Sequence, residues 1–474
     1  ESYATSQTFS TNTWYNVALT CDGSTTTAYV NGVSKGTGGL SGGQNTSYNY
    51  QNVIGGYQTS GSASNHTSMR MEDFRIYNRH ITATEASNLY NDIAISSTSL
   101  ANRYIMKTNF NDSVGTRNLT NNNVIFNYSG TTSNITYQEA TRFTPDLVWI
   151  KQRSGTQVPI WYDSVRGVHK YIYSSGTAAE GTSSATVTSF DSNGFTVGNS
   201  NSENQSGQTF VAWCWNAGSG NAGSNTDGTI TSTVKANPDA GFSIVKWTGT
   251  GVNGKTIGHG LNGAPEIIIT KGLSNATSWV TGIGGVSGFA VNDYLTWANL
   301  TNYAKGNSST FYQAYSTDTF QVGVSAANEM NKSASNDYIS YCFRSIAGYQ
   351  KIGTYTGNSS TSNIVETGFK PVWILIKNPN TTDGFYILDD KRKNGTFTNV
   401  LYPNLNNAEQ TSTGGNGEYS VNFLENGFEL TEITAGYNQS NNTYLYLAIA
   451  GDPDETDPTV ENSFSTILWS GTGS

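Results

Sequence analysis

The sequence predicts an all-β protein, a string of tandem β-sandwich (jelly-roll-like) domains arranged in series. Three observations point there. Aromatic residues make up 12% of the 474, from 28 Tyr, 19 Phe and 10 Trp, and there are 51 Gly against 9 Pro. Such aromatics, with abundant Thr, Val and Ile, suit pleated, half-buried strands and are dense enough to build a core. The apolar runs are short and punctuated by Asn-Gly and Asp-Gly pairs, the signature of hairpins. The chain also repeats itself at intervals of about 110 residues, a length at which each unit can bury its own core.

Charge narrows the function classes. Only 12% of residues are charged and the net charge is −9. The usual charged share is about twice that, so Ser, Thr, Asn and Gly must cover the surface. No basic patch is present, which argues against a nucleic-acid partner. No apolar run approaches the ~18 residues of a membrane span, so no membrane insertion is expected. The opening Glu1-Ser2-Tyr3 lacks the basic and apolar regions of a signal peptide. An uncharged polar surface suits work outside a cytoplasm. The three cysteines, Cys21, Cys214 and Cys342, are too few for a disulfide framework.

Residues 1–93 form the first segment. Trp14 to Cys21 alternates like a strand, and Asp22-Gly23 turns it into a partner running from Thr26 to Val33. A short strand, Asn52-Val53-Ile54-Gly55-Gly56, follows, then Met71 to Arg79, then a capped helix opening Thr82-Ala83-Thr84-Glu85. The series Trp14-x-x-Val17-Ala18-Leu19-Thr20, Tyr29-Val30-Asn31-Gly32, Ile54-Gly55-Gly56 and Asp73-Phe74-Arg75-Ile76-Tyr77-Asn78-Arg79 resembles the concanavalin A-like lectin/glucanase superfamily, in its laminin-G-like branch. The resemblance covers the C-terminal half of such a jelly roll and implies that its first strands precede Glu1. Many members bind glycans. Some bind calcium, which the resemblance leaves open here; the metal content is otherwise unknown, and no other cofactor is expected. Residues 94–122 read as a linker or vestigial strand, with Tyr104 to Gly115 echoing the opening strand of another such domain.

Three repeats follow, at 123–220, 240–347 and 348–451. In each, a Pro precedes a Lys by six residues across an apolar run: Pro145 and Lys151, Pro265 and Lys271, Pro371 and Lys377. An aromatic-x-Gly precedes each Pro, at Tyr128-Ser129-Gly130, Trp247-Thr248-Gly249 and Tyr355-Thr356-Gly357. A turn and strand follow, beginning near Asn193-Gly194, Asp318-Thr319 and Asn426-Gly427. Each unit closes on an aromatic strand, Phe210–Trp215, Tyr338–Phe343 and Tyr444–Ile449. Cys214, Cys342 and Ala448 then occupy one equivalent position, which reads as a small buried slot. Equivalent positions of separate domains lie too far apart for a disulfide. Residues 452–474 hold an acidic linker and a last segment, Phe464 to Gly473, that matches Phe242 to Gly251 at six of ten positions. The expectation is the start of a fourth repeat, and hence a piece of a longer array.

The motifs Phe143 to Lys151, Trp161 to Gly167, Ser189 to Phe195 and Val211 to Trp215 resemble domains of tail-fibre and other virion proteins of marine bacteriophages, including phages of cyanobacteria. The resemblance implies a structural or adhesive virion protein with no known catalytic activity.

Candidate chemistry is sparse. The four histidines, His66, His80, His169 and His259, have no metal-ligand spacing. No G-x-S-x-G elbow or phosphate-cradling loop leads into a helix. Carboxylates are densest at Asp389-Asp390, Glu425 and Glu429, where a glycosidase pair would be sought; repeat 1 has no equivalent of the two glutamates, so turns and sheet edges are the better reading. Asp163-x-x-Arg166 and Asp389-x-x-Arg392 stand at matching places, read as structural ion pairs pinning a loop; the alternative is a polar anchor beside an aromatic platform. Repeat 2 lacks this element. Trp149, Trp213, Trp215 and Trp373 follow strand alternation and read as core. Trp297, Tyr303, Phe311, Tyr312 and Tyr315 have no evident counterparts, and Trp297 and Tyr303 are the candidate glycan contacts.

The expected function is therefore non-enzymatic: a virion structural and adhesion protein, a phage tail fibre or capsid-attached fibre. Its partners would be host surface polysaccharide or lipopolysaccharide and other virion proteins. Many weak contacts would be multiplied by avidity in a homo-oligomer. The alternatives are a bacterial cell-surface adhesin or filament, or the glycan-binding region of a larger secreted glycosidase.

Overall fold

The computed structural model describes residues 143–296, 304–394, 397–411, 419–434, 436–451 and 463–473. Nearer the N-terminus it describes 15–21, 25–39, 57–59, 62–64, 73–77, 81–90 and 100–105. The chain forms two compact units, Glu1–Ile135 and Thr136–Ser474. The fold is all-β, with short helices at Ala83–Tyr90 and Asn201–Asn204 among the described residues.

In the N-terminal unit, Val17–Cys21 pairs antiparallel with Thr25–Val30, which pairs in turn with Val33–Gly39. The stretch from Thr26 to Val33 is thus two strands. Asn31 and Gly32 between them have φ of 51° and 72°, a two-residue hairpin turn whose left-handed backbone Asn and Gly tolerate best. The helix has a reciprocal cap: the Glu85 carboxylate accepts from the Thr82 backbone N–H at 3.0 Å, and Thr82 Oγ1 accepts from the Glu85 N–H at 3.2 Å. Strand Leu100–Ile105 pairs antiparallel with Asp73–Tyr77, within this same unit. The expected strand at 52–56 lies outside the described residues.

In the larger unit, one sheet recurs three times. Its order is opening strand, closing strand, second strand, third strand. Repeat 2 places Phe242–Thr248, Asp337–Phe343, Ile267–Gly272 and Val280–Gly282 side by side, all antiparallel. Repeat 3 does the same with Gln350–Thr356, Thr443–Ala450, Pro371–Lys377 and Phe385–Asn394. Repeat 1 uses Thr209–Trp215, Leu147–Gln152 and Ile160–Asp163, but its opening strand is Phe464–Ser470, from the far end of the chain. The segment expected to open a fourth unit therefore stands beside the closing strand of repeat 1. Hydrogen bonding explains why: Thr209–Trp215 has an open edge that a strand of this pattern satisfies, as Phe242–Thr248 does for Asp337–Phe343. Tyr128-Ser129-Gly130 lies outside the described residues. The sheet of repeat 2 also starts before residue 240, because Ser232–Asn237 pairs with Phe242–Thr248.

A shared latch seats each opening strand. The backbone N–H of Thr472, Thr250 and Asn358 donates to the side-chain oxygen of Asn204, Asn331 and Asn438, at 2.8, 2.7 and 3.2 Å. All three asparagines are buried. The Gly of aromatic-x-Gly is needed here. A Cβ on Gly471, Gly249 or Gly357 would stand 2.1, 2.7 or 2.2 Å from the backbone oxygen of Gln205, Ser333 or Gln439. Backbone cannot yield cheaply to that overlap, so only glycine fits.

The three repeats are consecutive along the chain, yet they do not form a rod of separate cores. One apolar cluster runs through all of them, including Trp149, Trp161, Trp213 and Trp215 of repeat 1, Trp279, Tyr341 and Phe343 of repeat 2, and Trp373, Phe385 and Leu447 of repeat 3. Trp215 is its hub, with ring centroids 6.3 Å from Phe343, 5.6 Å from Trp373 and 4.9 Å from Phe464. Strand alternation sends one face of every closing strand into this centre. In repeats 1 and 2 the other face meets a smaller core, where Cys214 and Cys342 lie, whereas in repeat 3 the slot residue Ala448 belongs to the common cluster. Both are free and buried, and burial pushes the Cys342 thiol up to about 12.

Candidate functional site

Three lysines recur six residues after the prolines, and the structure buries all three: Lys151, Lys271 and Lys377 are at most 1% exposed. No carboxylate pairs with them at contact distance among the described residues. Their ammonium groups instead donate to backbone carbonyls of nearby loops and strand ends. Lys151 Nζ reaches Gln152, Gly155 and Asn406 at 2.7, 3.2 and 3.3 Å. Lys271 Nζ reaches Gly272, Thr277 and Thr177 at 3.0, 2.9 and 3.2 Å. Lys377 Nζ reaches Asn378, Thr381 and Asp383 at 2.6, 2.9 and 2.6 Å. Two of the three thus reach across a seam, Lys151 to repeat 3 and Lys271 to repeat 1.

Burial pulls each lysine down to about 8, against an upward pull from Glu409, Glu329 or Asp383 respectively. The sign follows from proton counting. Between about pH 8 and the ordinary value of 10.5, the unfolded chain holds protons that the folded lysines have released. Unfolding takes up protons there, so the lysines' contribution makes stability rise with pH across that window. Replacing Lys271 with Met removes the ammonium from the Gly272 and Thr277 carbonyls and leaves Thr177 only the Thr277 N–H, and should cost about 2 kcal/mol or more in denaturant unfolding. A loss under about 1 kcal/mol would show that the ammonium does not hold these loops.

The two Asp-x-x-Arg elements form buried ion pairs. Arg166 Nε lies 2.5 Å from Asp163 Oδ2, and Arg392 Nε lies 2.7 Å from Asp389 Oδ2, with all four side chains at most 1% exposed. Each aspartate also accepts the backbone N–H of its own arginine, at 2.8 and 3.1 Å. Each arginine caps a backbone carbonyl, Trp161 or Ile387, at 3.0 Å. The further partner of each aspartate comes from the closing strand of another repeat. Tyr341 Oη of repeat 2 donates to Asp163 at 2.7 Å. Trp213 Nε1 of repeat 1 donates to Asp389 at 2.9 Å. In repeat 2 the matching positions hold Ile283 and Val286, both buried in the common core. The equivalent of Tyr341 and Trp213 on the closing strand of repeat 3 is Leu447, which has no proton to donate. A charge pair therefore stands only where the neighbour supplies a hydrogen bond.

Glu409 completes the seam between repeats 3 and 1. It accepts a bidentate pair of bonds from Arg153, both 2.8 Å, and further bonds from Arg392 at 3.1 Å and Asn399 at 3.0 Å. Burial alone would push its carboxyl up, but these donors and the two guanidinium charges outweigh it and hold the group at about 2. A depressed carboxyl stabilises the fold above its unfolded value near 4.5, and that contribution is lost as pH falls toward 2. Glu409→Gln should thus be less stable than the parent at pH 6 and match it near pH 2 in urea titrations; an equal gap at both pH values would contradict the network. Glu409 carried no signal in the sequence, since it lies outside any repeat motif.

The remaining candidates do not converge. Glu425 is exposed and pairs with Lys370, and Glu429 is held by Ser362 and Asn422. His259 is buried, donating from Nε2 to the Ser316 carbonyl and accepting the Leu261 N–H at Nδ1; burial lowers its pKa. Tyr312 is fully buried, with its hydroxyl 2.7 Å from Thr270 Oγ1, and Phe311 and Tyr315 pack against the same core. Their strand, Tyr312–Tyr315, pairs with Thr319–Val322, the hairpin that Val187–Asp191 and Gly194–Val197 form in repeat 1. Trp297, Tyr303, His66 and His80 lie outside the described residues. Among the described residues no group of three or more His, Cys, Asp or Glu is placed to hold a metal ion.

Fold and seams together define a class: an all-β body of three like sheets about one aromatic core, keyed by buried lysines and cross-repeat ion pairs. A family model described as Domain of unknown function (DUF7483) matches residues 120–453, and the chain belongs to that family. Residues 1–87 match the model of the Concanavalin A-like lectin/glucanases superfamily, of laminin-G type. No curated protein and no solved structure matches the chain.

Proposed function

We propose that this chain is a non-enzymatic adhesion and structural protein of a virion, part of a tail fibre or capsid-attached fibre that engages host surface polysaccharide or lipopolysaccharide. The observation that carries the reading is the lectin-type match at residues 1–87, joined to a body whose recurring charged residues hold its own seams. The low-charge Ser, Thr and Asn surface supports it further, since such groups pair with sugar hydroxyls. Copies held together in an oligomer would turn weak contacts into firm attachment. The superfamily also includes glucanases, so a glycan-binding region of a larger secreted glycosidase is the competing reading. Gold-labelled antibody against this chain is the test, applied to the source material in the electron microscope. Label on phage tails or capsids is expected. Label on cell envelopes with bare particles would replace the virion reading with a cell-surface adhesin.

A further inference from the structure

The three seams of the larger unit follow one rule, and one of them breaks it. At each, a backbone N–H is donated to the carbonyl two residues beyond a buried lysine. Glu180 donates to Leu273 at 3.0 Å, Glu409 to Arg153 at 2.8 Å and Lys305 to Pro379 at 2.6 Å. At the first two seams the donating residue is a glutamate turned onto buried arginine: Glu180 on Arg166 and Glu409 on Arg392. At the seam of repeats 2 and 3 the residue is Lys305, and the arginine's place is taken by Val286. The buried lysine differs too, since Lys377 takes all its acceptors from its own repeat. Among the described residues, no ion pair joins the Lys305-to-Pro379 backbone bond across this seam. A cleft of about 410 Å³ opens there, within the ~300–1,000 Å³ of ordinary small-molecule sites.

We infer that this cleft is a carbohydrate-binding site for a hydroxyl-rich pyranose of a neutral surface polysaccharide. Its lining carries the chemistry. Thr354 and Thr356 stand two residues apart on one strand face, and Thr443 is paired directly across from Thr356. The three side chains are exposed and offer a row of hydroxyls. Asn380, also exposed, adds an amide that can donate and accept together. The half-buried ring of Phe289 supplies an apolar wall on which the C–H face of a sugar can lie. Lys305 Nζ is 3.2 Å from Asp293 and one-third exposed, so it contributes donors while its charge is balanced. Departures from internal consistency concentrate at functional sites, and this seam is where the threefold rule lapses.

The inference rests on the adhesion reading and names a site for it. The test is affinity electrophoresis of the full chain in gels containing dextran, alginate or a bacterial O-polysaccharide. Retardation by a neutral polysaccharide is expected. It should fall at least tenfold in the variant Thr354→Val, Thr356→Val, Asn380→Ala, whose exposed side chains leave the core untouched. An unchanged melting temperature confirms that the variant is folded, and Phe289→Ala should act in the same direction. Equal retardation of parent and variant overturns the cleft but leaves the adhesion reading in place. Retardation by alginate alone overturns the neutral class. No retardation of the parent in any gel overturns both.

Discussion

Replacing Arg166 with Ala lowers the stability of the three-repeat body by about 3–5 kcal/mol, the cost of breaking a buried pair and leaving its charge uncompensated. The loss is large because Asp163 is fully buried. Its Oδ2 would keep only the Tyr341 hydroxyl as a side-chain partner, and the Trp161 carbonyl would lose its guanidinium bond. The molecule supplies its own control. The seam of repeats 2 and 3 places Ile283, Val286 and Leu447 where Asp163, Arg166 and Tyr341 stand at the seam of repeats 1 and 2. The triple replacement Asp163→Ile, Arg166→Val, Tyr341→Leu should therefore recover most of what Arg166→Ala loses. Buried charge pairs are often replaceable by packed apolar groups in this way, and Glu180, the further partner of Arg166, keeps Lys170. Urea unfolding of the parent, the single and the triple variant measures both effects. A single variant within 0.5 kcal/mol of the parent would mean that the pair does not hold the seam.

Deleting residues 463–474 should be costlier still. The deletion removes Phe464, Ile467 and Trp469 from buried positions. At roughly 1.5–3 kcal/mol for each large apolar side chain, the loss is on the order of 5–8 kcal/mol. That is comparable with the whole stability of many domains. It also uncovers the ladder edge of Thr209–Trp215, a template for pairing with other chains. Aggregation or loss of the near-ultraviolet signal of the tryptophan cluster is the expected result. Unchanged stability on deletion, with Tyr128→Ala then becoming damaging, would reverse the assignment. Residues near Tyr128 would then open repeat 1, and Phe464–Ser470 would belong to a following unit, as repeat spacing alone suggests.

Much of the architecture was legible because it is local. The Asp-x-x-Arg spacing joins residues in one turn, and the aromatic-x-Gly glycine marks a close approach of backbones. The slot shared by Cys214, Cys342 and Ala448 follows from strand alternation. The lysine recurrence was visible, although its purpose was not, since a lysine closing an apolar run reads as an exposed end. The closed arrangement was not legible for a physical reason. An opening strand pairs with a closing strand in the same way whether that strand precedes or follows it in the chain, so the repeat pattern is identical for a rod and for a closed body. Cross-seam partners were hidden likewise. Tyr341 is 178 residues from Asp163, and Glu409 is 256 from Arg153. No periodicity links such pairs. The absence of Asp-x-x-Arg from repeat 2 read as divergence, whereas Leu447 across the seam makes Ile283 and Val286 the matching choice.

The three repeats are one body around one core. Native-state amide hydrogen exchange tests it most directly, through the closing strands Thr209–Trp215, Asp337–Phe343 and Thr443–Ala450. Shared packing through Trp215, Phe343 and Trp373 predicts that all three strands exchange through the same global opening, with one free energy and one denaturant dependence. Three separate opening energies, each with the denaturant slope of a ~110-residue domain, would mean independent domains in series and would contradict the account.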